Sequence, residues 1–195
     1  MVQYIVILGA ILDLLGGIPY LRDTLSGRSK PNRVTFLMWG IAPCIDTAAA
    51  FSAGARWSVL PVLSAGLVPL AILVASFFNK KALWKLHWHD YVCGVISLAA
   101  LILWKETHQP TIAIILAIVS DIFASLPTIK KSWTHPETET PLSYAIAAVA
   151  VSTSFFAIPM WKFSEYAFPA YLVLNGLMIF IIISYRRQNT GSIIS

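Results

Sequence analysis

Two aspartates within hydrophobic segments are the residues of this chain best suited to chemistry. Asp13 and Asp121 each lie in the middle of a long apolar run. A carboxyl group in such a setting is costly, so it normally faces a partner or a cavity. The pair indicates either proton coupling and binding of a cationic group, or carboxyl groups that hydrogen-bond across helices to hold a bundle together.

The residues around the two aspartates indicate where the acids point. Small residues share a helix face with each acid, because they lie three or four positions away. They are Gly9, Gly16 and Gly17 around Asp13, and Ala117, Ala124 and Ser125 around Asp121. Small residues allow helices to pack closely in a membrane. We therefore expect both acids to face the interior of a helix bundle and not lipid.

The two aspartates belong to an internal repeat. Residues 7–61 and 115–169 align without a gap at one fixed offset, which pairs Asp13 with Asp121. Each copy also carries a proline shortly after its acid. Secondary transporters are often built from such repeats, with the substrate site between the copies.

Four further residues are candidates for the same site. Asp46 has no acidic counterpart in the second copy, so it either breaks the symmetry of the site or is a polar cap near the outer end of its helix. Asn175 lies deep in the last apolar segment, where an amide reads a ligand or bonds to another helix. Trp39 and Tyr171 are candidate pocket walls, with ordinary helix packing as the alternative.

The composition predicts a membrane protein. Of the 195 residues, 57% are hydrophobic and 12% are charged, whereas soluble domains carry about 25% charged residues. Seven segments approach the roughly 20 residues that a membrane-spanning helix needs. They lie at about 2–21, 34–53, 58–78, 90–104, 109–129, 142–161 and 166–185. Because these runs are continuous and not alternating, we expect helices instead of a barrel.

The basic residues predict the orientation of the chain. The segments after the first, third, fifth and seventh spans hold Arg22, Arg28, Lys30, Arg33, Lys80, Lys81, Lys85, Lys130, Lys131, Arg186 and Arg187. The opposite side holds Arg56, Lys105 and Lys162. The positive-inside rule places the N-terminus outside and the C-terminus in the cytoplasm. Orientation and lipid contact explain the net charge of +5, so we expect no nucleic-acid partner. The compact chain favours a bacterial inner membrane.

The repeat and the span count predict the domain organisation. Residues 1–80 form a first three-helix repeat, residues 81–107 a linker with the fourth transmembrane helix, and residues 108–195 a second repeat with a short tail. One linker helix between two three-helix copies gives both copies the same orientation. The predicted fold class is an all-α membrane protein with seven transmembrane helices, in two parallel three-helix bundles joined by a linker helix.

Two segments give the chain a resemblance to a known family. They are GGIPYLRDTLSGRSKPNRVTFLMWG at 16–40 and ASLPTIKKSWTHPETETPLSYAI at 124–146. Each has a proline near the cytoplasmic end of its first helix, a basic polar loop, and a small polar residue (Thr35 or Ser143) that opens the next helix. With the three-one-three plan and the outside N-terminus, the chain resembles the PQ-loop and SWEET transporter superfamily.

The resemblance implies a transporter of a small polar solute, such as a sugar or an amino acid, that works by alternating access with or without proton coupling. It implies hinges at Pro19 and Pro127; the alternative is that each proline ends its helix. It also favours ligand contact for Asn175. The glutamine of the family's Pro-Gln pair is absent, because Tyr20 and Thr128 follow the two prolines.

Other functions on the same scaffold stay open. A ligand-binding receptor or sensor, similar to the KDEL-receptor family, would bind without flux, and a vitamin or nucleoside facilitator would differ in its solute.

We expect no enzyme, catalytic residue or cofactor, because nucleophile and phosphate-binding motifs are absent. The run from His87 to Asp90 favours protonation or anchoring at the interface over a metal site. The resemblance implies that the chain can form a homo-oligomer.

Overall fold

The structure is a computed structural model, and it describes residues 2–52, 56–106, 110–158 and 161–191. This part of the chain is helical, and it contains no strand. The α-helices are α1 (Val2–Ser26), α2 (Arg33–Ser52), α3 (Leu60–Ala75), α4 (Trp88–Glu106), α5 (Pro110–Thr134), α6 (Pro141–Ser152) and α7 (Phe163–Gly191). The all-α class is confirmed for the described residues, and each helix overlaps one predicted span.

Three helical stretches in the described ranges are long and apolar enough to cross a membrane. They are Val2–Ser26, Trp57–Ala75 and Glu165–Asn189. The distribution of side chains on α1 is the inverse of that in a soluble domain, because Asp13 is buried while Leu8 and Leu15 are exposed. Apolar surface outside and polar groups inside are compatible with a membrane protein.

The helix packing of the first half recurs in the second half. We call α1, α2 and α3 the first triplet and α5, α6 and α7 the second triplet. In each triplet the third helix packs against both others: α3 against α1 and α2, and α7 against α5 and α6. Between the triplets, α1 packs on α6 and α2 packs on α5. The first helix of each triplet therefore meets the second helix of the other, and α4 covers α5 and α2.

The glycines of α1 lie at close helix crossings. A Cβ atom on Gly16 would overlap the side chain of Ile146 on α6. A Cβ atom on Gly17 would overlap the side chain of Val68 on α3. The small residues predicted to allow close packing therefore do so on two neighbouring helices.

The prolines of the first helices lie inside those helices. Pro19 is within α1, which continues to Ser26, and Pro127 is within α5, which continues to Thr134. The alternative that each proline ends its helix is therefore wrong. Each instead removes one backbone hydrogen bond from a continuous helix, and the hinge role stays a prediction.

The second triplet differs from the predicted spans at two ends. α6 stops at Ser152 and continues as a 3-10 helix, Thr153–Ala157, so it is shorter than predicted. α7 continues to Gly191, so the short tail expected after Arg187 is helical over its described part.

Candidate functional site

Four of the predicted site residues converge on one serine. The hydroxyl group of Ser125 accepts hydrogen bonds from Nε1 of Trp39 at 3.1 Å and from Nδ2 of Asn175 at 2.9 Å. Ser125 in turn donates to the backbone carbonyl of Asp121 at 2.8 Å. The hydroxyl group of Tyr171 donates to Oδ2 of Asp121 at 2.9 Å. This network joins α2 of the first triplet to α5 and α7 of the second.

Ser125 is expected from its spacing to lie on the face of small residues around Asp121, but not to be the centre of a hydrogen-bond network. The signal available was its spacing of one helical turn from Asp121, which puts both side chains on the same face. Its partners Trp39 and Asn175 lie in distant segments of the chain, and nothing in the sequence indicates that they meet.

Asp13 is the counterpart of Asp121 on α1, and both carboxyl groups are buried. Their exposed fractions are 2% for Asp13 and 1% for Asp121. Within the described residues, Oδ2 of Asp13 and Oδ1 of Asp121 are buried without a hydrogen-bond partner. Leaving a buried polar group unpaired costs about 1–3 kcal/mol, and more when it is charged. Each acid therefore has one buried oxygen that could still accept a hydrogen bond.

A cavity of about 110 Å³ lies between the two triplets and is lined by both aspartates. Asn175 and Ser143 add polar groups, and the rest of the lining is mostly apolar or aromatic. A bound water needs only about 10–15 Å³ of such space, so the cavity has room for several waters or one small solute. Transporter sites typically occupy this position between repeats.

Four aromatic side chains line the cavity, and each ring contacts two of the others. We call them the aromatic wall: Tyr20, Phe36, Trp39 and Tyr144. The ring centroid of Phe36 lies 5.2 Å from that of Tyr20 and 5.5 Å from that of Trp39. The ring of Tyr144 lies 6.0 Å from that of Tyr20 and 6.2 Å from that of Trp39. These spacings are those of favourable aromatic pairs. Of the four, sequence reasoning proposed only Trp39.

A buried ion pair lies behind the aromatic wall. Oε2 of Glu139 accepts hydrogen bonds from the hydroxyl groups of Tyr20 at 2.5 Å and Tyr144 at 2.7 Å. The other oxygen, Oε1, lies 2.5 Å from Nζ of Lys131. Both charged side chains are almost completely buried. Sequence reasoning treated Lys131 only as a marker of orientation and gave Glu139 no role.

Protein groups surround the ammonium group of Lys131 in place of water. Its ammonium group donates to the backbone carbonyl of Lys30 and lies 5.1 Å from the ring centre of Trp84. Burial lowers the pKa of Lys131, and the neighbouring Glu139 carboxylate opposes that shift. Removing one member of a buried pair is strongly destabilising, because it leaves an uncompensated charge.

The loops that follow the first helix of each triplet are bonded to each other. The backbone N–H of Lys30 donates to the carbonyl of Thr138 at 3.0 Å. The hydroxyl groups of Ser29 and Thr140 lie 2.6 Å apart. Thr140 also donates to Oδ2 of Asp23 at 2.9 Å. With the ion pair, these contacts hold together the end of the bundle that is predicted to be cytoplasmic.

Asp46 is not one of the residues that line the cavity. It is half-buried on α2, two helical turns beyond Trp39. Its predicted part in binding or proton coupling stays a prediction.

One cluster in the described ranges has the composition of a metal site. Ligand atoms of His87, His89 and Asp90 lie within 4.8 Å of one another. However, Oδ2 of Asp90 accepts the backbone N–H of His87 at 2.7 Å, a contact that caps the start of α4. Nζ of Lys130 lies 3.4 Å from Nε2 of His89 and brings a positive charge to the place a cation would take. This geometry favours helix capping.

No protein-family model, curated protein or solved structure matches the chain. The resemblance to the PQ-loop and SWEET superfamily therefore stays a prediction, and the function rests on the cavity and the groups around it.

Proposed function

We propose that this protein is an integral membrane transporter that moves a small polar solute by alternating access. The cavity between the two triplets, lined by both repeat-related aspartates, is the observation that supports this proposal most directly. A site shared by two repeats can be opened to either side when one repeat rocks against the other. Buried carboxyl groups in such a bundle mark ion, proton or ligand paths.

The proposed architecture is the seven-span, three-one-three plan of the PQ-loop and SWEET superfamily. The matching arrangement of helices in the two triplets supports it, because the third helix packs between the other two in both. The separate position of α4 against α5 and α2 suits a linker helix. The proposed orientation has the N-terminus outside and the C-terminus in the cytoplasm of a bacterial inner membrane, as the distribution of basic residues indicates.

The aromatic wall and the pair of Lys131 and Glu139 form the cytoplasmic gate of this transporter. Opening the gate requires the hydroxyl groups of Tyr20 and Tyr144 to leave Glu139. Pro19 immediately precedes Tyr20, so bending α1 at the missing hydrogen bond moves that tyrosine. In the second triplet, Pro127 lies one helical turn before Lys131 and shares its face.

Uptake by proteoliposomes tests the proposal. The purified protein is reconstituted and offered a panel of radiolabelled amines, amino acids, sugars and nucleosides, with protein-free liposomes as the control. Protein-dependent uptake of a panel solute, faster when the liposomes are preloaded with the same unlabelled solute, is the expected result. Tight binding of a solute without any flux would contradict transport and would favour a receptor.

A further inference from the structure

We propose that the solute is a small organic amine in its ammonium form. This inference rests on the proposed function in taking the cavity as the solute site, and it adds the chemical class of the solute. The first support is charge. Asp13 and Asp121 line the cavity, whereas no lysine, arginine or histidine is among the described residues that do. In a site of low dielectric constant, two carboxyl groups without a cationic neighbour favour a cation and oppose an anion.

The free oxygens of the two acids supply the second support. Oδ2 of Asp13 and Oδ1 of Asp121 are buried and have no hydrogen-bond partner in the described part of the chain. The hydroxyl oxygen of Ser143, also in the lining, has none either. Two carboxyl oxygens and one hydroxyl oxygen of lining residues can therefore each accept a hydrogen bond, and an ammonium group carries three N–H donors and no acceptor.

The aromatic wall supplies the third support. Aromatic rings attract a cation through the negative charge of their faces. The hydroxyl hydrogens of Tyr20 and Tyr144 are already donated to Glu139, so they are not available to an anionic or carbonyl group in the cavity. Trp39 has likewise donated its N–H to Ser125. The wall therefore offers aromatic rings and few free donors.

The remaining lining restricts the rest of the solute. Val68, Ile72 and Ile179 present apolar surface to the cavity. The amide nitrogen of Asn175 donates one of its two N–H groups to Ser125. A sugar would bury more hydroxyl groups than the few unpaired polar atoms of this lining can bond, and the carboxylate of an amino acid would find no cation among the lining residues. A short apolar body with one ammonium group fits all of these features.

Three ligands of nearly equal shape test the charge requirement without any mutation. Isobutylamine is protonated at neutral pH, isobutanol is neutral and isobutyrate is anionic. We expect isobutylamine to bind the detergent-purified protein at least about tenfold more tightly than isobutanol, as measured by calorimetry, since hydrogen bonds to charged groups are the stronger ones. Isobutyrate should not bind. Equal or tighter binding of isobutanol or isobutyrate would overturn the inference.

Two variants locate the binding site. Asp121→Asn removes one charge and should weaken isobutylamine binding at least about tenfold. Trp39→Leu removes an aromatic ring and should weaken isobutylamine binding severalfold more than isobutanol binding. Undiminished amine binding by both variants would place the amine elsewhere and overturn the inference.

The uptake assay separates this inference from the transport proposal. Amine binding in the cavity without uptake would support the solute class and contradict transport. Uptake of a sugar or an anion, together with no amine binding, would support transport and contradict the solute class.

Discussion

The hydroxyl group of Tyr20 lies 2.5 Å from Oε2 of Glu139, although the two residues are 119 positions apart. Tyr20 belongs to the first helix of the first triplet, and Glu139 lies just before α6 of the second. The contact places a residue of the aromatic wall directly against the buried ion pair with Lys131. One hydrogen bond therefore couples the cavity wall to the contacts that hold the two triplets together at this end.

The stability of the protein should depend on the balance of charge between Lys131 and Glu139. Lys131→Met leaves the Glu139 carboxylate buried without its cation and should lower the free energy of unfolding by about 3 kcal/mol or more. Adding Glu139→Gln removes that charge while keeping an oxygen for the two tyrosines, so the double variant should recover most of the loss. Thermal unfolding in detergent measures both effects.

The neighbouring Lys130 is the matched control for this experiment. It is exposed, so Lys130→Met should change stability by less than about 0.5 kcal/mol. A double variant as unstable as Lys131→Met alone would show that the charge balance of the pair does not matter.

Removing the hydroxyl group of Tyr20 should favour the open arrangement of the proposed cytoplasmic gate. Tyr20→Phe removes one hydrogen bond to a charged acceptor, worth about 1.5–3 kcal/mol, from the closed arrangement. The open arrangement should become more populated. A cysteine placed at Ser143, in a background with Cys44 and Cys93 replaced, should react faster with an impermeant thiol reagent added from the cytoplasmic side.

Tyr185→Phe is the control for Tyr20→Phe, because Tyr185 is exposed on α7 and should leave the reaction rate unchanged. An unchanged rate of cysteine reaction in Tyr20→Phe would show that this hydroxyl group does not help to keep the proposed gate closed.

Much of the helical layout and part of the site could be predicted from the sequence. The length and continuity of the apolar runs predict seven helical segments, and each overlaps one α-helix of the described residues. The repeat and the small residues around Asp13 and Asp121 indicated the buried face. Both signals are local, since they depend on spacing along one helix.

The network around Glu139 could not be predicted in this way. Glu139 lies in a short polar segment between helices, where an acid is normally solvated, and its partners come from α1, α5 and α6. Only the packing of the triplets brings Tyr20 and Lys131 to it. The same holds for Phe36, whose place in the aromatic wall depends on contacts between helices and not on its own sequence context.

A larger side chain at the close crossing of α1 and α6 should destabilise the protein. Gly16→Val places a branched side chain against Ile146 and should lower the free energy of unfolding by about 1–3 kcal/mol or more through overpacking. Ile146→Ala in the same chain should restore part of it, because the smaller side chain leaves room. Thermal unfolding in detergent measures both. The exposed Leu15 gives the control: Leu15→Val should have little effect, and an equally large loss there would argue against the crossing as the cause.

The hinge role of Pro19 predicts a separation of stability from activity. Pro19→Ala restores a backbone hydrogen bond within α1, so the protein should be at least as stable while its uptake rate falls severalfold. Stability is followed by thermal unfolding and activity by proteoliposome uptake. Pro141→Ala is the control, because Pro141 is the first residue of α6, where a proline costs no helical hydrogen bond. Normal uptake by Pro19→Ala would show that α1 needs no hinge there.

Asp13 and Asp121 are proposed to act together on a solute in one cavity between the triplets. The most direct test compares uptake of the panel solute that the wild-type protein carries with uptake by Asp13→Asn and Asp121→Asn, each shown to be folded by its thermal transition. Glu137→Gln, which removes an exposed acid, is the control. We predict a loss of at least about tenfold in both aspartate variants, the scale of one charged hydrogen bond, and none in the control. Wild-type uptake by both folded aspartate variants would show that neither carboxyl group acts on the solute.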